Sequence, residues 1–112
     1  MIVADTNIII YLFVTSERSS LAEQALRVDA KWAAPILWRS EMRNVLTLYV
    51  QKEMLSLEIA LQIMAGATDL MRAREYTVTS HHVLRLAADS GCSAYDCEFV
   101  ALAQDLQVPL IT

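Results

Sequence analysis

Short apolar runs alternate with longer stretches of helical periodicity along this chain, and this alternation limits the possible folds more than any other feature. The runs predicted as strands are Met1–Ala4, Lys31–Ala34, Tyr76–Val78 and Val108–Ile111. Strands that alternate with helices form a parallel sheet covered by helices on both faces. The sequence therefore predicts an α/β fold with about four short parallel strands, and the wholly apolar first run is expected to be a central strand.

Glycine and proline total only four residues, which predicts regular elements joined by short loops. The predicted helices are Asn7–Phe13, one opened by Ser20, Ile36–Lys52, one from Ser56 to about Arg74, one from Thr79 or Ser80 to Asp89, and Ala94–Leu106. Ser20 and Glu23 have the spacing of a capping box, Ser56 and Ser93 are expected to be N-caps, and Gly91 is expected to end a helix. The helical spacing within Ile36–Lys52 predicts one apolar face, formed by Trp38, Met42, Val45, Leu46 and Tyr49.

The length of 112 residues predicts one domain, spanning residues 1–112. Hydrophobic residues make up 55% of the chain, above the 45–50% that is usual, so some of them are expected to face a partner. The predicted helix after Ser56 is apolar on more than one side, and Ile8–Val14 is apolar throughout. These two segments are expected to form a protein–protein interface, such as that of a homodimer.

Thirteen acidic residues oppose nine basic ones, and the net charge of −4 argues against a protein that coats nucleic acid. It leaves open an enzyme that meets nucleic acid at one site. With only Cys92 and Cys97, the chain is expected to be reduced and cytoplasmic. Its longest apolar run, Ile8–Val14, has seven residues, so neither a signal peptide nor a membrane segment is expected.

Several common site motifs are absent from the sequence, which has no glycine-rich phosphate loop, no GxSxG and no HExxH. His81 and His82 are adjacent, so on a helix they would point roughly 100° apart and could not chelate one ion well. They are expected to be polar residues at the start of a helix.

Three acidic residues have positions that allow two interpretations. Asp5 directly follows the first strand, where it could cap a helix or belong to a site at the edge of the sheet. Glu41 lies in an amphipathic helix and could simply be solvated. Asp96 follows Ser93 by three residues, which is also a capping-box spacing. Carboxylates gathered at one edge would repel by about 4 kcal/mol per pair at about 4 Å, so a shared site would need Mg²⁺ or Mn²⁺.

Three segments of this chain together resemble the PIN domain family. They are IVADTN from Ile2, P-x-x-x-x-SE-x-x-NVL from Pro35, and SAYDCEFVALAQDL-x-VPLIT from Ser93 to Thr112. The most similar subgroup is the VapC-type toxin of toxin–antitoxin pairs. The resemblance implies a three-layer fold, a ribonuclease that depends on Mg²⁺ or Mn²⁺, a cluster of three or four acids, and a cognate antitoxin that blocks the site.

Residue by residue, the resemblance assigns Asp5, Glu41 and Asp96 as the catalytic, metal-binding acids. Thr6 and Asn7 match the small polar residues that support the first acid.

Two further positions match polar residues of the family, namely Asn44 beside the second acid and Thr112 closing the last matched strand. The family pattern has a fourth acid about two residues beyond Thr112, and a final short strand, and neither is within these 112 residues. Arg39 and Arg43, on the helix of the second acid, could hold RNA phosphates. Alternatively they could pair with acids such as Glu41 or Glu58.

The other functions considered are two enzyme classes and one binding protein. A response-regulator phosphoacceptor domain would have adjacent acids after the first strand and a late lysine, but no lysine follows Lys52. A phosphohydrolase with a DxDxT motif is contradicted by Asp5-Thr6-Asn7. An inactive PIN-like binding module that lacks the fourth acid stays open. The favoured prediction is a toxin that hydrolyses RNA phosphodiesters with a metal-activated water.

Overall fold

The protein forms a four-stranded parallel sheet, seen in a computed structural model that describes every residue from Met1 to Thr112. The strands are β1 (Ile2–Ala4), β2 (Trp32–Pro35), β3 (Glu75–Tyr76) and β4 (Leu110–Ile111). Their order across the sheet is β3-β2-β1-β4, and each neighbouring pair is parallel. The predicted α/β class is confirmed. All of β1 is buried between β2 and β4, as expected for a central strand.

Six helices connect and cover the strands. They are α1 (Thr6–Phe13), α2 (Ser19–Val28), α3 (Leu37–Gln51), α4 (Leu57–Leu70), α5 (Ser80–Ser90) and α6 (Ala94–Leu106). Helix α6 contacts β1, β2 and β4 and packs against α5, whereas α1 packs against α2, α3 and α4. The arrangement is that of a three-layer fold.

The predicted capping residues lie at the observed helix ends wherever the cap is a hydrogen bond within the first turn. The hydroxyls of Ser56, Thr79 and Ser93 each accept an N–H from the first turn that follows. Gly91 ends α5 with a φ of 75°, a left-handed conformation that glycine adopts without strain.

The predicted capping box of Ser20 and Glu23 is wrong. Helix α2 begins one residue earlier, at Ser19, and no side chain caps it. The Ser19 hydroxyl accepts the N–H of Ser16 at 2.9 Å and donates to the carbonyl of Tyr11 at 2.7 Å. These bonds to the preceding loop and to α1 set where the helix starts, so Ser20 lies inside it.

The predicted helix to about Arg74 is too long, because α4 ends at Leu70. Ala73 has a left-handed φ of 64°, which turns the chain toward β3. The Arg74 guanidinium donates to the carbonyls of Leu70 at 2.7 Å and Trp32 at 2.9 Å. Arg74 thus satisfies a carbonyl at the end of α4 and ties that end to β2.

Three strands are shorter than predicted, because β1 begins at Ile2 and β3 and β4 each have only two residues in the ladder. β3 also begins one residue earlier than predicted, at Glu75, whereas β2 keeps the predicted length and lies one residue later, at Trp32–Pro35. The ladder places functional positions at one edge, since the backbone N–H of Asp5 donates to the carbonyl of Ile111 at 2.9 Å. The residues that follow β1 and β4 therefore meet beyond the carboxyl ends of the strands, where sites form in sheets of this kind.

Helix α3 is fixed against the sheet by its apolar stripe. Trp38, Met42 and Leu46 are buried, and Val45 and Tyr49 are half-buried, so the predicted face is the one that packs. The opposite side leaves Leu48 43% exposed. No helix has the length and apolar character needed to cross a lipid bilayer.

Candidate functional site

Asp5 stands immediately after the central strand, at the edge of the sheet where the strands end. The residue occupies the N-cap position of α1 with extended backbone angles, but its carboxylate makes no capping hydrogen bond. Its backbone is held by the bond to Ile111 described above. The amides of Thr6 and Asn7, in the first turn of α1, still lower the pKa of this carboxylate, so Asp5 keeps the electrostatic part of an N-cap without its hydrogen bond.

Asp96 lies in the first turn of α6, where only half of a capping box forms. The Ser93 hydroxyl accepts the backbone N–H of Asp96 at 3.1 Å. The Asp96 carboxylate has no hydrogen bond or ion pair of its own, and the residue is exposed. Ser93 therefore orders the turn while the carboxylate stays available.

Glu41 is linked to the first acid through Thr6. The buried Thr6 hydroxyl donates to a carboxylate oxygen of Glu41 at 2.6 Å, across 35 residues of sequence. Thr6 directly follows Asp5, so one hydroxyl couples the first turn of α1 to the middle of α3. The resemblance implied that Thr6 supports the first acid, whereas its side chain contacts the second.

The charges of neighbouring acids affect the ionisation of Asp5 and of Glu41. Burial raises the pKa of Asp5 above its ordinary value of 3.8, the nearby amides of Asn7 and Thr6 lower it, and the charge of Asp96 raises it.

The same causes act on Glu41. Burial raises its pKa, the bond from Thr6 lowers it, and the charges of Asp5 and Asp96 raise it further. No basic side chain is among the groups that shift the pKa of Asp5 or of Glu41, so the repulsion that these two carboxylates feel is not offset.

Glu98 is a fourth acid of this region that the sequence analysis missed. It lies two residues after Asp96 on α6 and is half-buried. Burial raises its pKa, and so does the charge of Glu41. The only sequence feature that could have pointed to Glu98 is its position two residues after Asp96. Residues two apart on a helix point to different sides, however, so this spacing does not predict that Glu98 lies near Glu41. The family resemblance placed the fourth acid beyond Thr112 instead.

The remaining polar positions divide into two groups. Asn7 and Thr112 line a pocket of about 350 Å³ that also contains Asp5 and Asp96. Asn44, in contrast, is exposed on α3 and makes no hydrogen bond to Glu41. The structure therefore brings Asn7 and Thr112 to the acids and does not bring Asn44.

Arg39 pairs with an acid, as the alternative interpretation expected, but that acid is Glu75 and not Glu41 or Glu58. Its guanidinium binds Glu75 through two bonds of 2.5 and 2.6 Å, and the indole N–H of Trp38 donates to the same carboxylate at 2.8 Å. These bonds lower the pKa of Glu75 and occupy Arg39, which is not free to hold a phosphate. The cluster fastens the start of α3 to β3.

Arg43 is the more available of the two arginines. Its side-chain Nε donates to the carbonyl of Arg39 at 3.1 Å, and no acid pairs with its guanidinium. Its side chain lines the groove between α3 and α4. This places Arg43 beside an apolar surface, on the helix that carries Glu41.

The histidines lie apart from the acids. His82 contacts Gln104 through Nε2 at 2.8 Å and Asp105 through Nδ1 at 3.1 Å, so it joins α5 to the end of α6. His81 is exposed. Neither is a candidate ligand beside the carboxylates.

The donor set suits a hard divalent cation by its chemistry, because Asp5, Glu41 and Asp96 offer only carboxylate oxygens and face no competing cation. The present spacing does not form a closed site, since no three histidine, cysteine, aspartate or glutamate side chains lie close enough to hold one ion. These carboxylates would have to move closer together to hold a metal.

The first prediction concerns stability against pH in the absence of metal. The pKa of Asp5 is raised in the folded protein, so the unfolded chain loses the Asp5 proton at a lower pH than the folded protein does. The free energy of unfolding therefore falls as the pH rises from 3.8 to the pKa of the folded protein, and it falls no further above that pKa. Asp5→Ala removes the part of this fall that Asp5 causes, while the parts from Glu41 and Glu98, whose pKa values are also raised, remain. At pH 7 the variant should therefore be as stable as the wild type or more stable. Thermal unfolding in EDTA at a series of pH values measures this.

The control is a variant at an acid whose pKa is lowered by folding, so that its loss should change stability in the opposite direction. Asp29 binds the N-terminal ammonium group at 2.6 Å, which lowers the pKa of Asp29. Its contribution is present above pH 3.8 and is lost as the pH falls, so Asp29→Asn should lower stability at pH 7. If Asp5→Ala instead lost about 1 kcal/mol, the size of an N-cap, Asp5 would be a capping residue after all.

Comparison with known protein families gives one match. A family model described as the PIN domain matches residues 2–112, which is nearly the whole chain and includes all four acids described above. No curated protein matches the sequence.

Proposed function

Because this chain belongs to the PIN domain family, whose members are generally nucleases, we propose that it is a metal-dependent endoribonuclease and the toxin of a VapC-type toxin–antitoxin pair. One observation carries the proposal. Asp5, Glu41 and Asp96 come from three separate elements, yet they lie at the same edge of the sheet with charges that no basic side chain offsets. Their mutual repulsion costs stability, and a bound cation would explain why they are together.

In the proposed reaction the acids hold Mg²⁺ or Mn²⁺, which supplies an activated water and shields the phosphate charge when bound. The residues of the chain position the acids for this task. Thr6 holds one Glu41 oxygen, and Ser93 orders the turn that carries Asp96. Asn7 and Thr112 line the adjoining pocket, where they could orient a phosphate or water. We propose Arg43 as a phosphate contact outside this pocket.

Cleavage of RNA tests this function. We expect single-stranded or loop RNA to be cut in Mg²⁺ or Mn²⁺, with EDTA stopping the reaction and Mg²⁺ restoring it. A water oxygen attacks phosphorus and the bond to the 3′ oxygen breaks, so the products should carry a 5′-phosphate and a 3′-hydroxyl. Ca²⁺ should support little turnover because it is larger and holds looser geometry. Mass spectrometry of the products identifies the ends, and cyclic phosphates would contradict the mechanism.

The second candidate is a binding module without catalytic activity, and the open spacing of the carboxylates favours it. The binding module needs no bound cation, whereas the enzyme needs one and turns over RNA. No rise in melting temperature with Mg²⁺ or Mn²⁺, together with no RNA cleavage, would therefore identify the binding module.

A partner surface is proposed on α3 and α4. Leu57 is 57% and Leu61 is 61% exposed, and both line a groove of about 500 Å³ that also contains Leu46 and Met64. A soluble monomer rarely leaves such an apolar surface open. We propose that a helix of a cognate antitoxin or a second copy of the chain, as a homodimer, covers it.

Sedimentation velocity tests the proposed association. The protein should sediment as a dimer, or as a complex when its partner is co-expressed, and Leu61→Glu should shift it to monomer because a charge would be buried in the interface. Val28→Glu is the matched control, since Val28 is 88% exposed on α2 and away from the groove. A monodisperse monomer at high concentration, with no partner co-purifying, would count against this surface.

A further inference from the structure

The two cysteines of the chain lie on either side of the turn that carries Asp96. Cys92 is exposed in the short loop between α5 and α6, and Cys97 is buried in α6, where it packs with Val83 and Ala101. The sequence contains no other cysteine. Neither thiol has a role in the proposed reaction, although the segment between them includes both a proposed metal ligand and the serine that caps its helix.

The cap of α6 places the two cysteines at positions that face each other. The Ser93 hydroxyl accepts the backbone N–H of Asp96 at 3.1 Å, which makes Ser93 the N-cap. Cys92 then directly precedes the cap, and Cys97 is the fourth residue of the helix. Side chains at these two positions often pack against each other across the start of a helix, and cysteine behaves as a small hydrophobe in such a contact.

The Ser90 hydroxyl lies against both cysteines. It accepts the backbone N–H of Cys92 at 3.1 Å, and its oxygen is 3.8 Å from the Cys97 sulfur. A disulfide requires the two Cα atoms to come within about 7 Å of each other, with the side chains directed together. Cys92 lies between the two helices and within neither, so its loop can adjust toward Cys97 while α5 and α6 stay in place.

We propose that Cys92 and Cys97 form a reversible disulfide on reaction with a low-molecular-weight disulfide, and that this bond weakens the carboxylate site, the second part resting on the proposed ribonuclease function. The exposed Cys92 sulfur attacks one sulfur of the small disulfide, whose S–S bond breaks, and half of it leaves as a thiol with the Cys92 proton. Cys97 then attacks the Cys92 sulfur, and the other half leaves with the Cys97 proton. Two electrons thus pass from the cysteines to the small disulfide.

The bond would act on the carboxylate site through the turn that it encloses. The ring closed by the disulfide contains Ser93 and Asp96, so it includes both the cap and the carboxylate. The acids must come closer together to hold a metal, because their present spacing does not form a closed site. A cross-link over the first turn of α6 restricts the movement of Asp96, and the oxidised protein should therefore bind the metal less tightly.

Mass spectrometry without reductant tests the bond itself. After incubation with oxidised glutathione, the intact monomer should be lighter than the reduced protein by two hydrogen atoms. Neither cysteine should react with iodoacetamide after unfolding. Chymotrypsin cuts after Tyr95, between the two cysteines, so the two resulting peptides should stay joined until dithiothreitol is added.

Two variants separate the roles of the cysteines. Cys92→Ser should keep its mass in oxidised glutathione, because the remaining thiol is buried. Cys97→Ala should stop at a mixed disulfide that carries one glutathione on Cys92. Oxidation of the wild type should reduce the rise in melting temperature with Mg²⁺ and slow RNA cleavage by about tenfold, the loss expected when a metal ligand is displaced but not removed. Dithiothreitol should reverse both effects, and Cys92→Ser should show neither.

The two proposals fail separately. A wild type that keeps two free thiols, stops at the mixed disulfide or joins a second chain through Cys92 would contradict the internal bond, whatever its activity. If the bond forms but metal binding and cleavage match those of the reduced protein, the effect on the carboxylate site is overturned. If the reduced protein neither binds Mg²⁺ or Mn²⁺ nor cuts RNA, the ribonuclease function and its regulation are wrong, whereas a joined peptide pair would still establish the disulfide.

Discussion

Replacing Asp96 by asparagine is expected to lower the rate of RNA cleavage by at least about 100-fold while leaving the fold intact. Changing a residue that only supports a metal ligand already costs about 10–100-fold, so loss of a direct carboxylate ligand should cost at least as much. The fold should survive because the cap of α6 depends on the Ser93 hydroxyl and the Asp96 backbone N–H, neither of which is altered. Initial rates on a labelled RNA measure the effect.

Metal binding provides a second readout for this variant. Mg²⁺ or Mn²⁺ should raise the melting temperature of the wild type by mass action, and Asp96→Asn should lose that rise. Asp89→Asn is the matched control, because Asp89 is an exposed acid on α5 and does not line the pocket that contains Asp5 and Asp96. Unchanged cleavage by Asp96→Asn, or an equal loss in both variants, would contradict the assignment of Asp96.

Replacing Trp38 by alanine is expected to lower the free energy of unfolding by about 3–5 kcal/mol, the usual range for removing a buried aromatic side chain. Trp38 has no exposed surface, and its indole N–H donates to Glu75 at 2.8 Å. The substitution both opens a cavity under α3 and leaves a half-buried carboxylate with one bond fewer. Urea denaturation followed by circular dichroism gives the free energy.

Leu48→Ala on the same helix is the control. Leu48 is 43% exposed on the outer side of α3, so its truncation should change the free energy of unfolding by less than about 1 kcal/mol. Because Glu41 lies between these positions on the same helix, Trp38→Ala should also weaken the metal-dependent rise in melting temperature. Equal losses in the two variants would show that α3 does not pack through the predicted face.

Features governed by neighbours within one or two turns were predictable from the sequence. Ser56 and Ser93 cap their helices as expected, and Gly91 ends α5. The apolar stripe of α3 is the buried one, since the period of 3.6 residues determines which side chains share a face. The first strand is central because its residues are apolar on both sides, and such a strand must be covered twice.

Features that depend on distant segments were predicted less well. The Ser20 capping box failed because Ser19 bonds to the carbonyl of Tyr11 in the preceding helix. Arg39 pairs with Glu75, which is 36 residues away, rather than with an acid on or near its own helix. In each case the residue had several possible partners of equal chemistry, and only the packed structure selects one.

The candidate site shows the same division. Local pattern placed Asp5 at a strand end and Asp96 in a first helical turn, and family resemblance added Glu41, so the sequence by itself determined the acids and the sheet that presents them. Only the tertiary structure joined Thr6 to Glu41 and brought Glu98 beside them. The physical reason is the separation in sequence over which each effect acts. Helix propensity and apolar periodicity depend on a few neighbouring residues. A hydrogen bond or a carboxylate repulsion between distant segments exists only once folding has brought those segments together.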